Sequence, residues 1–225
     1  MARGWRTARA GRLTVVLAAV VLPTGRSLGQ ASTADSAGAH SAQSLNQWRF
    51  SLTVYGILPA EGQALVNPVL TADRGWLHLE TRYNYEASQT GSAWLGYNFA
   101  TGHTLAFEAT PIVGAVFGNI AGVAVGLEFA LSYKKFELSS EQEFVYDARN
   151  PSESFFYAWP QLTYAPLPWF SFGFVAQRTR VYKSTYQAER GVLVGLSYRM
   201  LQFSTYVFDV GLARPAWIFS LGVTF

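Results

Sequence analysis

The chain has 225 residues, of which 50% are hydrophobic and 16% aromatic, but only 14% are charged. Soluble domains carry about 25% charged residues, so this shortage of charge favours a lipid environment. There is no cysteine, which excludes disulfides and thiolate metal sites. The formal charge of +3 comes from residues 1–29, which hold five arginines and no acid; the remainder has 12 basic and 14 acidic side chains. This slightly acidic remainder predicts no nucleic-acid partner.

Residues 1–29 have the pattern of a secretory signal peptide. An arginine-rich start precedes an apolar run at residues 13–22. Ten apolar residues are too few to span a bilayer as a helix, so a membrane-anchor helix is the less favoured alternative. Small residues at Ser27 and Gly29 suit cleavage by a signal peptidase. We therefore predict export, with residues 30–46 as a flexible linker.

From residue 76 onward, apolar and polar residues mainly alternate along the chain, with a period of two. In residues 77–86, leucine, threonine and tyrosine on one face alternate with His78, Glu80 and Arg82 on the other. Such a strand separates two different media. The same parity places Tyr85 on the apolar face. Related alternation recurs in three further segments, 122–133, 136–146 and 217–225.

About ten strands are predicted in residues 76–225, which we assign to an all-β, antiparallel up-and-down barrel. The other candidates are 92–100, 103–113, 155–165, 169–182, 190–199 and 201–210. Short turns, such as the one at Lys134 and Lys135, alternate with longer polar connections, as in transmembrane barrels. A weak repeat supports this arrangement, because residues 122–129 resemble residues 191–198 at an offset of 69.

Alternation alone does not separate a membrane barrel from a soluble one, because a soluble barrel is merely inverted, with its apolar side inward. The aromatic residues favour the membrane barrel. Tyr97, Tyr133 and Trp169 are among many aromatic side chains near predicted strand ends. Amphipathic aromatics at both ends of an apolar band form the interfacial girdles of membrane barrels.

The chain ends on an alternating row, Trp217, Phe219, Leu221, Val223 and Phe225. This terminus resembles the C-terminal strand by which bacterial outer-membrane proteins are recognised and inserted. Together with the signal peptide and the strand rhythm, the resemblance is to bacterial outer-membrane β-barrel proteins as a broad class. It implies a Gram-negative outer-membrane location. Its implied partners are outer-membrane lipids, lipopolysaccharide, the secretion machinery and the barrel-assembly machinery.

Residues 47–75 are harder to assign. Residues 49–57 have the character of a strand, but Pro68 makes residues 67–70 a poor central strand. We predict a ten-stranded barrel with 47–75 as a docked or lumen-plugging segment. The alternative is a twelve-stranded barrel that takes two strands from this segment.

The face predicted to line the lumen carries an ionic network. Its members are Glu80, Arg82, Glu108, Glu128, Glu137, Glu141, Glu143 and Arg199. The turn at Lys134 and Lys135 places Glu128 opposite Glu141, and facing like charges require arginines, a cation or a proton. Estimated hairpin registers predict an ion pair between Arg82 and Glu108, with Arg199 as a further partner of the acids. The network is interpreted as a structural lattice or as a cation-selective constriction.

Two arginines, Arg178 and Arg180, follow an outward-facing row of phenylalanines. We predict that they contact lipopolysaccharide phosphates, the alternative being solvated arginines at the base of a loop.

The predicted function is a structural or narrow-pore role in small-solute transport. A lipid-modifying hydrolase is an alternative, but His78 has no serine predicted beside it, and a hydrolase needs a nucleophile and a base within reach. A surface-binding barrel is disfavoured by the short predicted loops. The residue spacings predict no cofactor and no metal site.

Overall fold

The computed structural model describes residues 47–181, 187–211 and 215–225, so the predicted signal peptide and linker lie outside the described residues. The described chain is all-β, with one short 3-10 helix at Pro151–Glu153. Its strand segments are β1 (Arg49–Leu58), β2 (Leu65–Arg74), β3 (Leu77–Tyr83), β4 (Thr90–Tyr97), β5 (Phe99–Thr101), β6 (Leu105–Gly118), β7 (Gly122–Tyr133), β8 (Phe136–Asp147), β9 (Phe155–Leu167), β10 (Phe170–Val181), β11 (Gln187–Tyr198), β12 (Leu201–Phe208) and β13 (Ala216–Thr224). Among these residues, none belongs to a helix with the length and apolarity to cross a membrane.

The strands form one closed antiparallel barrel. Strand β1 pairs with both β2 and β13, and β4 pairs with both β3 and β6. Segments β4 and β5, separated by Asn98, both pair with β6 and count as one interrupted strand, so the barrel has twelve strands. At the seam, Phe50 and Phe225 exchange backbone hydrogen bonds of 2.8 and 2.9 Å and their rings stack. The last residue of the chain therefore takes part in closing the barrel.

The preferred prediction of ten strands is wrong, and the alternative of twelve is confirmed. Residues 47–75 contribute β1 and β2. Along β1 the inner side chains change from polar, at Ser51 and Thr53, to apolar and buried, at Tyr55 and Ile57, so the alternation is lost in the second half of the strand. Pro68 stands within β2 opposite Val54, although β2 has a neighbour on each side. Strand rules based on alternation and on proline therefore left these two strands as the alternative prediction only.

The outer surface of the barrel is apolar. On β7, Val123 and Leu127 are 59% and 38% exposed, whereas Ala124 and Ala130 on the inner side are buried. Comparable exposed rows occur along the barrel wall, which would be a large aggregation hazard in water. The exposed aliphatic and aromatic rows suit hydrocarbon, so the predicted orientation of the faces is confirmed.

The C-terminal strand β13 follows the same rule. Trp217, Phe219, Leu221 and Phe225 are exposed on the outer face, and Val223, half-buried, lies on that face too. Ile218 and Ser220 are buried on the inner face.

The two ends of the barrel differ. One end has tight connections at residues 75–76, 134–135, 168–169 and 199–200. The other end has connections at residues 59–64, 84–89, 119–121 and 148–154. Since short turns face the periplasm in barrels of this kind, we call the first the periplasmic end and the second the outer end.

The first prediction concerns the outer face. Leu127 lies midway along β7, so Leu127→Arg is expected to lower the unfolding free energy by about 2–4 kcal/mol, because a charge is placed in hydrocarbon. Tyr133→Arg, at the periplasmic end of the same strand, is the matched control and is expected to cost about 1 kcal/mol or less. Urea unfolding in lipid vesicles measures both, and equal costs at the two depths would contradict the proposed membrane band.

Candidate functional site

A cavity of about 940 Å³ lies in the lumen and opens at the periplasmic end. We call it the cup. Its rim includes Trp48, Trp76 and Phe225, all close to the short turns or the end of the chain. Its volume lies within the range of about 300–1,000 Å³ that is usual for small-molecule sites.

Acidic side chains dominate the charge of the cup. Asp73, Glu108, Glu128 and Glu141 all line it, and the basic side chains among its lining residues are Arg49 and His78. The field inside the cup therefore attracts cations and repels anions.

The floor of the cup is built around Arg82 of β3, whose guanidinium is fully buried. It donates to both oxygens of Glu80, at 2.8 and 2.9 Å. It also donates to Glu141 at 2.6 Å and to Glu143 at 3.0 Å, both on β8. A longer contact of 3.3 Å reaches Glu128 on β7. These five residues are the Arg82 cluster.

The Arg82 cluster crosses the barrel. Strand β3 is separated from β8 by β4, β6 and β7 in the sheet, so the bonds from Arg82 to Glu141 and Glu143 span the lumen and do not follow the sheet. Charge-assisted hydrogen bonds of this kind are among the strongest in proteins. The cluster therefore ties two distant parts of the wall together.

Two aromatic rings hold the guanidinium of Arg82. Its central carbon lies 4.2 Å from the ring centre of Tyr85 and 4.7 Å from that of Trp94. Trp94 donates its indole N–H to Ser92 at 2.9 Å. A Cβ atom at Gly114 would lie 2.6 Å from the Trp94 ring, so only glycine leaves room for the ring in this position.

Tyr85 does not face lipid as the alternation predicts. Strand β3 ends at Tyr83, and Asn84 adopts a left-handed conformation with φ of 58°, which breaks the alternation. The Tyr85 ring is buried in the lumen and its hydroxyl donates to Glu141. Strand parity fails here because the strand is shorter than the alternating segment.

His78 lies beside the cluster, with each ring nitrogen facing a carboxylate. Its Nδ1 is 2.8 Å from Asp73 and its Nε2 is 3.5 Å from Glu80. Asn98 donates to the same oxygen of Asp73 at 2.7 Å. A Cβ atom at Gly96, the residue opposite His78, would lie 3.1 Å from the imidazole, so glycine makes room for the ring.

Beside the cluster, aromatic side chains fill another part of the lumen, and in the sheet Trp159 lies opposite Glu141 and Tyr157 opposite Glu143. We call Tyr157, Trp159, Tyr206 and Phe208, all nearly fully buried, the aromatic layer. Trp159 on β9 lies 5.6 Å from Tyr206 and 5.1 Å from Phe208 between ring centres. Because β10 and β11 separate β9 from β12, these contacts also cross the lumen. Trp159 also lines the cup, so the cup ends at this layer.

Five of the residues named from the sequence as an ionic network come together in the Arg82 cluster. The register that the turn at Lys134 and Lys135 predicts is confirmed, with Glu128 opposite Glu141 and Glu143 opposite Gly126. The hairpin is tight, so its register follows directly from the turn.

The remaining three lie elsewhere. Glu108 lines the cup and Glu137 accepts a hydrogen bond from Ser132 at 3.2 Å. Arg199 occupies an exposed periplasmic turn, 5.4 Å from the Tyr198 ring, because β11 ends one residue before it.

The predicted pair of Arg82 with Glu108 does not form. It depends on a register that places Arg82 opposite Gly96, whereas Arg82 lies opposite Ser92. The reason is the early end of β3, which moves the connection to residues 84–89 and shifts the hairpin.

Arg178 is exposed on the outward face of β10, and the side chain of Arg180 lies outside the described residues.

No protein-family model matches the chain, and no curated protein matches it. Among solved structures, the KdgM porin has a TM-score of 0.53 at 8% identity, over 78% of this chain and 99% of the porin. The KdgM porin in complex with disordered oligogalacturonate has a TM-score of 0.54 at 8% identity, with the same coverage. The Pseudomonas aeruginosa protein OccK5 (OpdH) has a TM-score of 0.42 at 10% identity, over 76% of this chain and 62% of that protein.

The KdgM likeness shows the fold, which is that of an outer-membrane β-barrel with a porin-like architecture. With its closed sheet and apolar exterior, the protein is a β-barrel of the bacterial outer membrane.

The second prediction concerns the Arg82 cluster. Arg82→Met is expected to lower the unfolding free energy by about 3–5 kcal/mol, because buried carboxylates lose their hydrogen-bonded counter-charge. Adding Glu141→Gln and Glu143→Gln to that variant is expected to recover part of the loss. Urea unfolding followed by tryptophan fluorescence measures each change. Arg178→Met, at an exposed arginine, is the control, and an equal loss there would contradict the assigned role of Arg82.

The third prediction concerns Glu86, in the outer connection 84–89. It is fully buried, and burial raises the pKa of its carboxyl above the ordinary 4.5. The charge of Glu80 adds to this rise in pKa, whereas the charge of Arg82 and a hydrogen bond from Ser92 oppose it. The folded chain thus holds this proton more tightly than the unfolded chain, so stability falls as the pH rises above about 4.5. Glu86→Gln is expected to match the parent near pH 4 and to exceed its stability at pH 8.

Thermal unfolding at the two pH values measures this difference. Glu61→Gln, which removes an exposed carboxylate from the connection 59–64, is the matched control. If the stability of Glu86→Gln and that of the parent change equally between the two pH values, the carboxyl of Glu86 does not gain a proton on folding.

Proposed function

We propose that this barrel binds small cationic solutes and is a narrow outer-membrane passage for them. The observation that carries the proposal is the acidic wall of the cup, where Asp73, Glu108, Glu128 and Glu141 face a cavity open at the periplasmic end. Rings of carboxylates are a common means of selecting cations in pores.

The aromatic layer is the barrier in this proposal. Trp159 lines the cup, and its contacts with Tyr206 and Phe208 reach across the barrel. A solute in the cup therefore crosses only when these rings move. The parent protein is expected to conduct weakly, with Trp159 as the narrowest obstacle.

The ligand of the similar porin does not carry over to this chain. That structure contains a disordered oligogalacturonate, a chain of sugar carboxylates. Such an anion would face the carboxylates of Glu108 and Glu128 in the cup, and like charges in a site of low dielectric repel strongly. The charge of the wall favours cations instead.

The two other functions considered from the sequence receive less support. For a lipid hydrolase, His78 would have to accept a proton from a nucleophile, but its ring nitrogens face Asp73 and Glu80, and no described hydroxyl is hydrogen-bonded to it. For a surface-binding barrel, the described outer connections are short; the longest of them is 148–154.

The proposed surroundings are outer-membrane lipid and lipopolysaccharide. Arg178 is exposed on the lipid-facing side of β10, toward the outer end, where its guanidinium can reach a lipid phosphate. We also propose delivery by the secretion and barrel-assembly machineries, on the basis of the predicted signal peptide and the C-terminal aromatic row.

The fourth prediction tests the passage. Trp159→Ala removes the indole that ends the cup and is expected to raise the single-channel conductance in planar bilayers several-fold above that of the parent. In a KCl gradient the opened variant is expected to prefer K⁺ over Cl⁻. Adding Glu108→Gln, which removes one carboxylate of the wall, is expected to reduce that preference.

Trp169→Ala is the matched control, since this tryptophan is 55% exposed at a periplasmic turn. It is expected to leave the conductance at the level of the parent. Conductance of Trp159→Ala no greater than that of this control, or a preference for Cl⁻, would overturn the proposal. Recording in the presence of EDTA keeps bound metal ions from contributing to the selectivity.

A further inference from the structure

We propose that His78, Glu80 and Glu128 form a binding site for a divalent transition metal, best suited to Zn²⁺, at the floor of the cup. One ligand atom from each of the three side chains lies within 4.8 Å of the others. His78 and Glu80 are buried and Glu128 is half-buried, so the cluster is an internal feature of the lumen.

The histidine is already oriented as a metal ligand. Asp73 accepts a hydrogen bond from Nδ1 of His78, which leaves Nε2 directed at Glu80. A carboxylate behind the imidazole is the usual support of metal-binding histidines, because it fixes the ring and raises its basicity. Asp73 is itself held by Asn98, which accepts a hydrogen bond from Thr110 at 2.8 Å.

The floor of the cup carries more negative than positive side chains, which favours binding of a further cation. The guanidinium of Arg82 is shared by four glutamates, and its contact with Glu128 is the longest of the set, at 3.3 Å. Among the described residues, the Oε1 atom of Glu143 is buried and has no hydrogen-bond partner. Burying carboxylates without full compensation is costly, and a divalent ion beside them removes that cost.

A metal ion would be bound with little rearrangement. Glu128 would turn from Arg82 toward His78, and the guanidinium would keep its shorter bonds to Glu80, Glu141 and Glu143. Both His78 and Glu128 line the cup, so the ion has a route from the periplasmic end and room for water as a further ligand. Three protein ligands plus an open position is a common arrangement for Zn²⁺.

The ligand types select among metals. An imidazole nitrogen with two carboxylates suits Zn²⁺, whereas Ca²⁺ and Mg²⁺ prefer oxygen ligands alone. We therefore expect the site to discriminate against the two hard cations. This inference does not depend on solute passage, because the site lies in the floor and the proposed passage is tested through Trp159 and Glu108.

The experiment uses the mature barrel, refolded in detergent, freed of metal with EDTA and titrated with ZnCl₂ in a calorimeter. The expected result is one saturable Zn²⁺ per barrel, a higher thermal midpoint with Zn²⁺, and no comparable effect of Ca²⁺ or Mg²⁺. His78→Ala is expected to abolish saturable binding. Asp73→Asn, which keeps all three ligands, is expected to weaken it by about 10- to 100-fold.

Two variants are matched controls. His103→Ala removes an exposed histidine near a periplasmic turn, and Glu61→Gln removes an exposed carboxylate in the connection 59–64, outside the cup. Both are expected to bind Zn²⁺ as the parent does. Absence of saturable binding in the parent, or unchanged binding in His78→Ala, would overturn the proposal.

A measurement on the parent decides the question if His78→Ala fails to fold. X-ray absorption at the zinc edge is expected to show nitrogen and oxygen ligands at about 2.0–2.2 Å, with the outer-shell scattering of one imidazole. A spectrum without imidazole scattering would mean that the ion is bound by surface carboxylates, and the proposed site would be rejected.

Discussion

The hydrogen bonds of Arg82 across the lumen are the interaction on which the interior of this barrel depends. An apolar exterior forces the polar side chains of each strand inward, where they meet one another. Carboxylates from β3, β7 and β8 would repel in that space. One guanidinium, held between Tyr85 and Trp94, converts the repulsion into attraction between strands that are not neighbours in the sheet.

That central tie divides the lumen into two regions of different chemistry. The aromatic layer around Trp159 packs beside it, across the sheet from Glu141 and Glu143, and on its periplasmic side the cup is polar and acidic. Two glycines leave room for side chains around it, because a Cβ atom at Gly114 would meet the Trp94 ring and one at Gly96 would crowd Ile112, Thr110 and the imidazole of His78.

How much of this architecture the sequence predicts depends on the range of the interaction. The outward rows of β7 and β13, the tight turn at Lys134 and Lys135 and the facing of Glu128 and Glu141 follow from local alternation, and they are confirmed. Contacts across the lumen depend on the number of strands and on every register between them. The apolar second half of β1 and Pro68 in β2 obscured two strands, and an early end of β3 shifted one hairpin, which is why the partners of Arg82 were missed.

The same reasoning explains why no residue spacing revealed the three proposed metal ligands. His78 and Glu80 are two residues apart on β3, as side chains on one face of a strand must be, but Glu128 is brought to them by β7 only after the barrel closes. Closure thus brings more acidic than basic side chains together, since one arginine contacts four glutamates. A barrel with this imbalance must take protons or cations into its lumen. The position of the excess, at the floor of a cup that opens to the periplasm, lets that compensation come from solution.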